Sequence, residues 1–389
     1  MKYIFTGLLL FILINNSPLR AQEKERKWEL NGYVKDLRAL YFFDGLDSVL
    51  VDNLLHNRLN FRWYAHEHFT VKLELRNRIF YGELVRQFPD FGKLPDTNND
   101  FFDLSFNIID ANSLVFNTTI DRGYIEYNKN DWEVRVGRQR INWGINLAWN
   151  PNDIFNAYSF FDFDYEERPG SDAVRIKKYT GIASSIEVAA NIADDSDDWV
   201  LAGLWKTNKW NYDFQLLAGK ARQDFVLGAG WAGSIYNAGF KGEVTWFKPF
   251  DDSRQDTFET WLLSISADYS FSGGLYLNGS FLINTGLESG LGTDTFNTLS
   301  ADRLDTKSVL PYPYATFLQS NYTINPLLTM GVSWMTFPGE EAFFINPVLT
   351  ASVFSNVDLD VIGQIFYEKK EQGYRSDSPA LFLRVKWSF

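Results

Sequence analysis

Hydrophobic and polar residues alternate one by one along many segments of the chain. In the last such segment, Leu381, Leu383 and Val385 share one face, whereas Arg384 and Lys386 share the other. A period of two predicts β-strands, in which successive side chains point to opposite faces. The alternating segments are about twice as long as the 5 or 6 residues usual in soluble sheets. The pattern therefore predicts long strands with one apolar face and one hydrated face.

Eighteen alternating segments can be counted along the chain. They are 28–42, 53–65, 69–82, 118–129, 131–143, 172–180, 184–192, 198–207, 210–222, 225–236, 238–248, 257–270, 274–285, 312–324, 326–337, 342–355, 358–370 and 380–389. The pair 172–180 and 184–192 is the weakest, so a count of sixteen stays open. An even number of strands returns both chain ends to the same side of a membrane, as single-chain bacterial barrels require.

No stretch after Ile14 approaches eighteen consecutive apolar residues, so a helical membrane protein is not predicted. Aromatic residues make up 17% of the chain, with 19 Tyr and 13 Trp, and membrane barrels use such residues as girdles at both interfaces. Together with the alternation, this predicts an all-β fold, a transmembrane antiparallel up-and-down β-barrel. The longest connections are 83–117, 144–171 and 286–311, which we expect outside the cell or folded inward.

The two ends of the chain carry targeting patterns. Lys2, an apolar run and a small residue at Ala21 predict a secretory signal peptide over 1–21, which leaves 22–389 as the barrel. The alternating end Val385, Trp387 and Phe389 is similar to the signal that outer-membrane barrels present to the barrel assembly machinery. We therefore expect the cell outer membrane of a Gram-negative bacterium, with its lipid and lipopolysaccharide as surroundings.

Charge and candidate chemistry exclude several classes of function. A formal net charge of −12 argues against nucleic-acid binding. His66 and His68 could contact a metal, but no Cys or third ligand is adjacent, so we expect neither a metal nor another cofactor. No nucleophile elbow, phosphate loop or zinc-protease spacing occurs, and we do not expect an enzyme.

Basic residues recur on the face predicted to line the lumen. The pore-lining candidates are Arg58, Arg62, Lys72, Arg76, Arg122, Arg135 and Arg175. Rings of such cations favour anionic solutes. Acidic residues such as Glu74, Glu126 and Glu133 interleave with them, so a wall held together by paired charges is the alternative.

A motif in the middle of the chain resembles a known family. Residues 136–144 read Val-Gly-Arg-Gln-Arg-Ile-Asn-Trp-Gly, 150–156 read Asn-Pro-Asn-Asp-Ile-Phe-Asn, and 167–175 read Glu-Arg-Pro-Gly-Ser-Asp-Ala-Val-Arg. This resembles a porin-like outer-membrane family and is more distantly similar to alginate-export barrels. The resemblance implies an eighteen-stranded channel, mostly of unassigned substrate. The end of the predicted signal peptide and the Gln-Glu-Lys start of the mature chain are similar to those of proteins of the Bacteroidota.

Two features of this region suggest a pore element. We expect Gly137 to host a β-bulge, because strict alternation from Val136 would otherwise turn Arg138 and Arg140 toward lipid. The segment 144–171 is rich in aromatics and carboxylates, and its prolines stop strand pairing. It is expected to form either a constriction inside the lumen or a cap outside it. The constriction candidates are Asn150, Asp153, Asp162, Asp164 and Arg168.

These observations predict a porin-like channel for diffusion of small hydrophilic solutes, with an anion preference if the basic wall is not neutralised. The alternative is a non-conducting structural or accessory barrel of an outer-membrane assembly or secretion complex, with its lumen plugged by 83–117 and 144–171. A homo-oligomer and a monomer both remain open.

Overall fold

The structure is a computed structural model that describes residues 26–43, 47–96, 100–156, 163, 164, 166–251, 258–287, 307, 310, 312–371, 373–376 and 379–389. The predicted signal peptide 1–21, Asp162 and most of 286–311 lie outside these residues. Within the described part, no helix is both long and apolar enough to cross a membrane.

The described residues form twenty strands and very little helix. The strands are β1 Trp28–Phe43, β2 Ser48–His66, β3 Phe69–Gly82, β4 Ser105–Ala111, β5 Leu114–Lys129, β6 Trp132–Gln139, β7 Ser171–Gly181, β8 Ser184–Asn191, β9 Val200–Lys209, β10 Tyr212–Ala221, β11 Asp224–Ile235, β12 Ala238–Pro249, β13 Thr260–Ser270, β14 Leu275–Asn284, β15 Tyr314–Asn325, β16 Leu328–Thr336, β17 Ala342–Phe354, β18 Val357–Lys370, β19 Gly373–Arg375 and β20 Ala380–Ser388. One α-helix, α1, covers Glu83–Gln87, and short 3-10 turns cover Phe91–Lys93 and Ser196–Asp198.

Eighteen of these strands close into a ring in which every pairing is antiparallel. Each barrel strand pairs with its neighbours in sequence, and β20 closes the ring by pairing with both β18 and β1. The short strands β4 and β19 extend the sheet beside β5 and β18. The predicted eighteen-strand antiparallel barrel is confirmed, and the pair that seemed weakest is present as β7 and β8. We call the end with short hairpins the turn end and the opposite end the loop end.

The two faces of the wall differ as the alternation predicts. Phe61, Trp63 and Leu216 point outward and are between 37% and 51% exposed. Arg58 and Glu243 point inward and are completely buried. Each of the eighteen ring strands that the structure describes pairs with a neighbour on both sides, which is the condition for placing a sheet in lipid.

Several strand boundaries differ from the sequence prediction, and two of the differences lie next to each other in the sheet. The strand expected at 131–143 ends at Gln139, and the connection expected at 83–117 contains α1, a 3-10 turn and β4. The two differences have one cause. Strand β6 pairs only with the turn-end half of β5, and β4 pairs with the other half, 114–119.

The prediction of a β-bulge at Gly137 is wrong, because β6 pairs with both of its neighbours through this residue without a register shift. Gly137 instead has a φ of 120°, and a Cβ there would lie 2.3 Å from the Gly123 carbonyl oxygen. The register shift lies in β5, where Asp121 has no partner between Ile120 and Arg122. As a result, the side chains of Asp121 and Arg122 are both buried on the inner side of the wall.

Candidate functional site: a segment docked inside the barrel

Between β6 and β7 the chain runs through residues 140–170, which we call the docked segment; 157–162 and 165 within it are not described. It begins by packing against the inner face of β8 and β10. The Trp143 indole N–H donates to the Glu187 carboxylate at 2.6 Å, and the Gln215 amide donates to the Trp143 carbonyl at 2.7 Å. Trp143 is buried, so the segment turns inward directly after β6.

One carboxylate on β12 anchors the next part of the segment. Glu243 Oε1 accepts hydrogen bonds from the backbone N–H groups of Ile145 and Asn146, and its Oε2 accepts one from Asn152 at 2.9 Å. Three backbone donors that would otherwise be buried without a partner are therefore satisfied by one charged group.

Two asparagine side chains extend this anchor to the neighbouring strands. The Asn146 amide donates to Ser264 Oγ at 3.0 Å and accepts from Ser266 Oγ at 2.7 Å. The Asn152 amide donates to the Ala229 carbonyl at 3.0 Å and accepts from the Thr245 hydroxyl at 2.7 Å. Each amide thus uses both its donor and its acceptor on the wall, which fixes its orientation.

An apolar contact continues the docking toward β15. The Trp149 ring meets the Phe317 ring edge-on with centroids 6.1 Å apart. Both side chains belong to a buried cluster that includes Phe337 and Phe344 from the inner side of the wall. The inner wall therefore has an apolar seat for this tryptophan, and further buried apolar clusters lie elsewhere on the described part of the wall.

The second half of the docked segment carries an ion cluster with Asp164 at its centre. Its carboxylate lies 2.8 Å from Lys35 Nζ on β1, 3.1 Å from His56 Nδ1 on β2 and 3.5 Å from Arg384 on β20. Burial alone would raise the pKa of Asp164, but the hydrogen bond from His56 and the charge of Lys35 outweigh it and hold the pKa well below its usual range. Asp164 is therefore ionised at neutral pH.

Three further contacts fasten the end of the segment. Lys386 Nζ donates to the Glu166 carboxylate at 2.8 Å, and the Tyr33 hydroxyl donates to Glu167 at 3.1 Å. Arg122 donates to the carbonyl oxygens of Glu167 and Arg168 at 2.7 and 2.9 Å. These bonds hold the chain against β1, β5 and β20 before it enters β7.

The two halves of the docked segment are held by opposite sides of the ring. Asn152 is bound to β11 and β12, and Asp164 to β1, β2 and β20, which stand about half a turn away around the ring. Twelve residues separate them in the chain. A chain of that length can extend to about 40 Å, so one segment can reach both walls.

Most of the predicted pore-lining arginines lie in ion pairs. Arg58 pairs with Asp121 and, at 2.6 Å, with Glu74. The Arg76 guanidinium also reaches Asp121, at 3.3 Å. The bulged Asp121 therefore pairs with arginines of two neighbouring strands, β2 and β3.

The remaining candidates line the turn-end half of the lumen. Arg135 lies 2.5 Å from Glu126, and Arg175 lies 2.9 Å from Glu187. Arg62 is partly exposed and 3.7 Å from Glu29. The Lys72 ammonium sits over the Tyr124 ring, 5.6 Å from its centroid.

The constriction candidates are placed as follows. The Asp153 carboxylate is buried 3.4 Å from Arg140, and burial together with the charge of Glu243 raises its pKa to about 7. The Asn150 carbonyl accepts from the Asp153 N–H at 3.0 Å, which closes a turn after Pro151. Arg168 has a left-handed backbone with φ of 62°. Among the described residues, no group of three or more His, Cys, Asp or Glu is arranged to hold a metal ion.

Sequence reasoning missed four of the residues that carry the docking, and they are Lys35, Asn146, Asn152 and Glu243. Lys35 and Glu243 lie at inward positions of alternating strands, so their facing could have been predicted. Their partners could not, because the Lys35 ammonium also bonds the carbonyl of Asp164, 129 residues away in the chain.

No protein-family model matches this chain, and no curated protein matches it. Several solved structures do. OccK2 (OpdF) of Pseudomonas aeruginosa, solved in complex with glucuronate, has a TM-score of 0.58 and 8% identity over 93% of this chain and 98% of its own. OccAB4 of Acinetobacter baumannii has a TM-score of 0.55 and 9% identity over 94% and 99%, and OccK11 (OpdR) of P. aeruginosa has 0.54 and 10% over 93% and 96%. At this identity the likeness shows the fold, which is the eighteen-strand barrel of outer-membrane porins.

Proposed function

We propose that this chain is an outer-membrane channel for the diffusion of small hydrophilic solutes, and that the docked segment forms its constriction. The observation that carries the proposal is a closed ring, mostly apolar outside and with charged side chains buried on its inner face, with a segment bonded to opposite inner walls. A ring of this size is wide enough to hold water between the wall and a folded-in segment. The fold shared with outer-membrane porins supports the same function.

The inner wall around the anchor carries uncharged polar groups. Ser264, Ser266, Asn278 and Ser280 point inward on β13 and β14 and are buried, and Ser264 and Ser266 are bonded to Asn146 of the docked segment. These groups fix the position of the constriction past which a small solute diffuses. The glucuronate found in the OccK2 structure is a solute of this size, with hydroxyls and one carboxylate, and it supports including sugar acids among the candidates.

The charge preference follows from which cations are neutralised. Most of the wall arginines are paired with carboxylates, which supports the interpretation of a wall held by paired charges. Within the described part of the chain, Lys72, Lys177 and Lys206 have no carboxylate within ion-pair distance. We propose that these lysines give the channel a mild preference for anions.

The test is to reconstitute the purified barrel in planar bilayers and in liposomes. We expect single-channel conductance, swelling with small sugars and sugar acids, and a reversal potential in a KCl gradient that favours chloride. A Lys177→Gln variant should reduce that preference, and Lys178→Gln, on the outward face of the same strand, serves as the matched control.

Two outcomes would count against the proposal. A barrel that passes no ions and co-purifies with other envelope proteins would support the accessory role instead. A conducting barrel with cation preference would leave the channel standing but remove the role given to the lysines.

A further inference from the structure

Six hairpins at the turn end each carry a large apolar residue at or next to the tip. These hairpins join β7 to β8, β9 to β10, β11 to β12, β13 to β14, β15 to β16 and β17 to β18, so they span twelve of the eighteen ring strands. Each of these residues is at least 45% exposed. We call them the apolar tips, and they are Ile182, Trp210, Tyr236, Phe271, Leu327 and Phe354.

The geometry of the hairpins does not select these residues. Trp210 and Tyr236 have φ of 56° and 55°, the left-handed backbone that a tight hairpin requires. Gly, Asn and Asp adopt this conformation readily, whereas a bulky side chain adopts it at a cost. Aromatic residues at these two positions therefore point to a contact outside the hairpin. The Lys209 ammonium over the Trp210 ring, 4.4 Å from its centroid, is a pairing typical of a membrane interface.

The apolar tips continue the lipid-facing side of the wall. On β13 the outward Tyr269 meets Phe271 edge-on, with ring centroids 4.6 Å apart. Near the end of β15, Ile324 is 46% exposed and lies three residues before Leu327. The surface that faces lipid thus runs without interruption onto these tips.

The depth of the apolar tips follows from aromatic residues near the other end of the same strands. Outward Phe225, Trp246 and Trp261 form a row at the loop end, with successive ring centroids 6.2 and 5.9 Å apart. Phe271 lies ten residues from Trp261, and Tyr236 eleven from Phe225. With a rise of about 3.3 Å per residue and a tilt of about 40°, these separations are about 25 and 28 Å in depth. The apolar band of such barrels is about 25 Å tall, so the tips lie at its boundary, where aromatic residues meet lipid headgroups.

The two remaining hairpins at the turn end have polar tips. Residues 66–68, between β2 and β3, read His-Glu-His, and 130–131, between β5 and β6, read Asn-Asp. On β2 the outward Trp63 lies four residues before Glu67, which places the Glu67 carboxylate about 10 Å farther from the membrane. Hairpin tips that enter water therefore carry polar residues in this barrel, and the apolar tips are confined to β7–β18.

We propose that the apolar tips are seated in the lipid leaflet that borders the turn end, and that they fix the depth of β7–β18 in the membrane. A large apolar surface that is exposed to water marks a contact site. Lipid suits this site better than a partner protein, because the tips are spread over twelve strands of the ring and are not gathered into one patch. The leaflet already surrounds the wall and can cover all six tips at once.

The cysteine-free chain allows a direct test with single thiols. Ile182→Cys and Leu327→Cys each place a thiol on an apolar tip, and Glu67→Cys is the matched control on a polar tip. The purified variants are inserted in vesicles of phosphatidylethanolamine and phosphatidylglycerol, with a charged, membrane-impermeant maleimide on both sides. We expect the two tip thiols to react at least tenfold more slowly than the control, and all three to react equally in urea. Equal rates in the vesicles would overturn the proposal.

A quencher carried by the lipid identifies what covers the tips. The fluorophore NBD on the same thiols should be quenched at least twofold more by 5-doxyl phosphatidylcholine at Ile182→Cys and Leu327→Cys than at Glu67→Cys, and iodide should give the reverse order. Equal quenching at the three positions would count against lipid contact. Fast maleimide reaction in the vesicles with slow reaction in native outer membranes would mean that another protein covers the tips, which overturns the proposal. Heat-modifiable migration on gels reports whether each variant is folded, and Phe354→Cys replaces a tip variant that is not.

Discussion

Glu243 offers the sharpest test of how the docked segment is held. Its carboxylate accepts three backbone N–H groups, from Ile145, Asn146 and Asn152, and is completely buried. In Glu243→Gln the remaining oxygen can still accept from Ile145 and Asn146, but the new NH2 group faces the N–H of Asn152. In Glu243→Ala all three donors lose their acceptor.

The expected size of each effect follows from the number of bonds lost. A hydrogen bond to a charged group contributes about 1.5–3 kcal/mol, so Glu243→Gln should weaken docking by about 2 kcal/mol, which is about thirtyfold. Glu243→Ala should cost about 4 kcal/mol, a factor of about a thousand, because water that enters the space replaces part of what is lost.

Hydrogen exchange at single-residue resolution measures these bonds directly. Glu243→Gln should speed exchange at the Asn152 amide far more than at Ile145 or Asn146, and Glu243→Ala should speed all three. Both variants should also raise single-channel conductance and its noise. Glu259→Gln is the matched control, because Glu259 accepts from Trp246 on the exposed rim and does not contact the docked segment.

The reasoning fails if the amides of Ile145, Asn146 and Asn152 exchange as slowly in Glu243→Ala as in the unaltered protein. It also fails if Glu259→Gln speeds them equally. If exchange rises but conductance stays constant, the anchor is correct and the docked segment does not limit the pore.

Three other predictions follow from neighbouring contacts. Asp164→Asn removes the counter-ion of the buried Lys35, so conductance should rise and the reversal potential in a KCl gradient should move toward chloride. Asp153 has a pKa raised to about 7 and faces Arg140 and Glu243, so the docked state favours the protonated form of Asp153. Docking of the segment should therefore weaken as pH rises from about 4 to about 7. Asp153→Asn should flatten the pH dependence of channel noise. Deleting Phe389 removes two backbone hydrogen bonds to Gly32, and the folded fraction on heat-modifiable gels should fall.

The barrel itself could be predicted because its determinants are local. Side-chain facing in a strand depends only on the parity of a residue, and hairpins depend on a few turn residues. Asn130 and Asn356 each follow directly after a predicted strand, and both adopt left-handed backbones in tight turns. Even the weakest pair, β7 and β8, kept enough alternation to be counted.

The docking of residues 140–170 could not be predicted, because its partners are distant in the chain. Ile145 and Glu243 are 98 residues apart. Parity indicates that a carboxylate faces the lumen but not which of many inward donors it accepts from. The local sequence pattern therefore does not distinguish a segment inside the barrel from one outside it.

One sign of the inward turn was nevertheless present, namely a change in the phase of alternation. In β6 the apolar outward residues include Val134 and Val136, at even positions, but the next apolar residues are Ile141 and Trp143, at odd positions. Arg138 remains in β6, buried in an ion pair with Asp172, but a strand that continued in the same phase would have placed Arg140 on lipid. The chain instead leaves the sheet and buries Ile141 and Trp143 in the lumen.

The same change of phase occurs in β5, with a different result. Its outward residues shift from odd positions at Ile125 to even positions at Ile120, and the single bulged residue Asp121 absorbs the shift. The difference lies in the neighbours: β5 stays paired with β3 on both sides of the bulge, whereas β6 has no partner on β5 beyond Arg138, because β4 occupies that edge. A phase change therefore predicts a bulge where a neighbouring strand continues, and a departure into the lumen where the pairing edge is already taken.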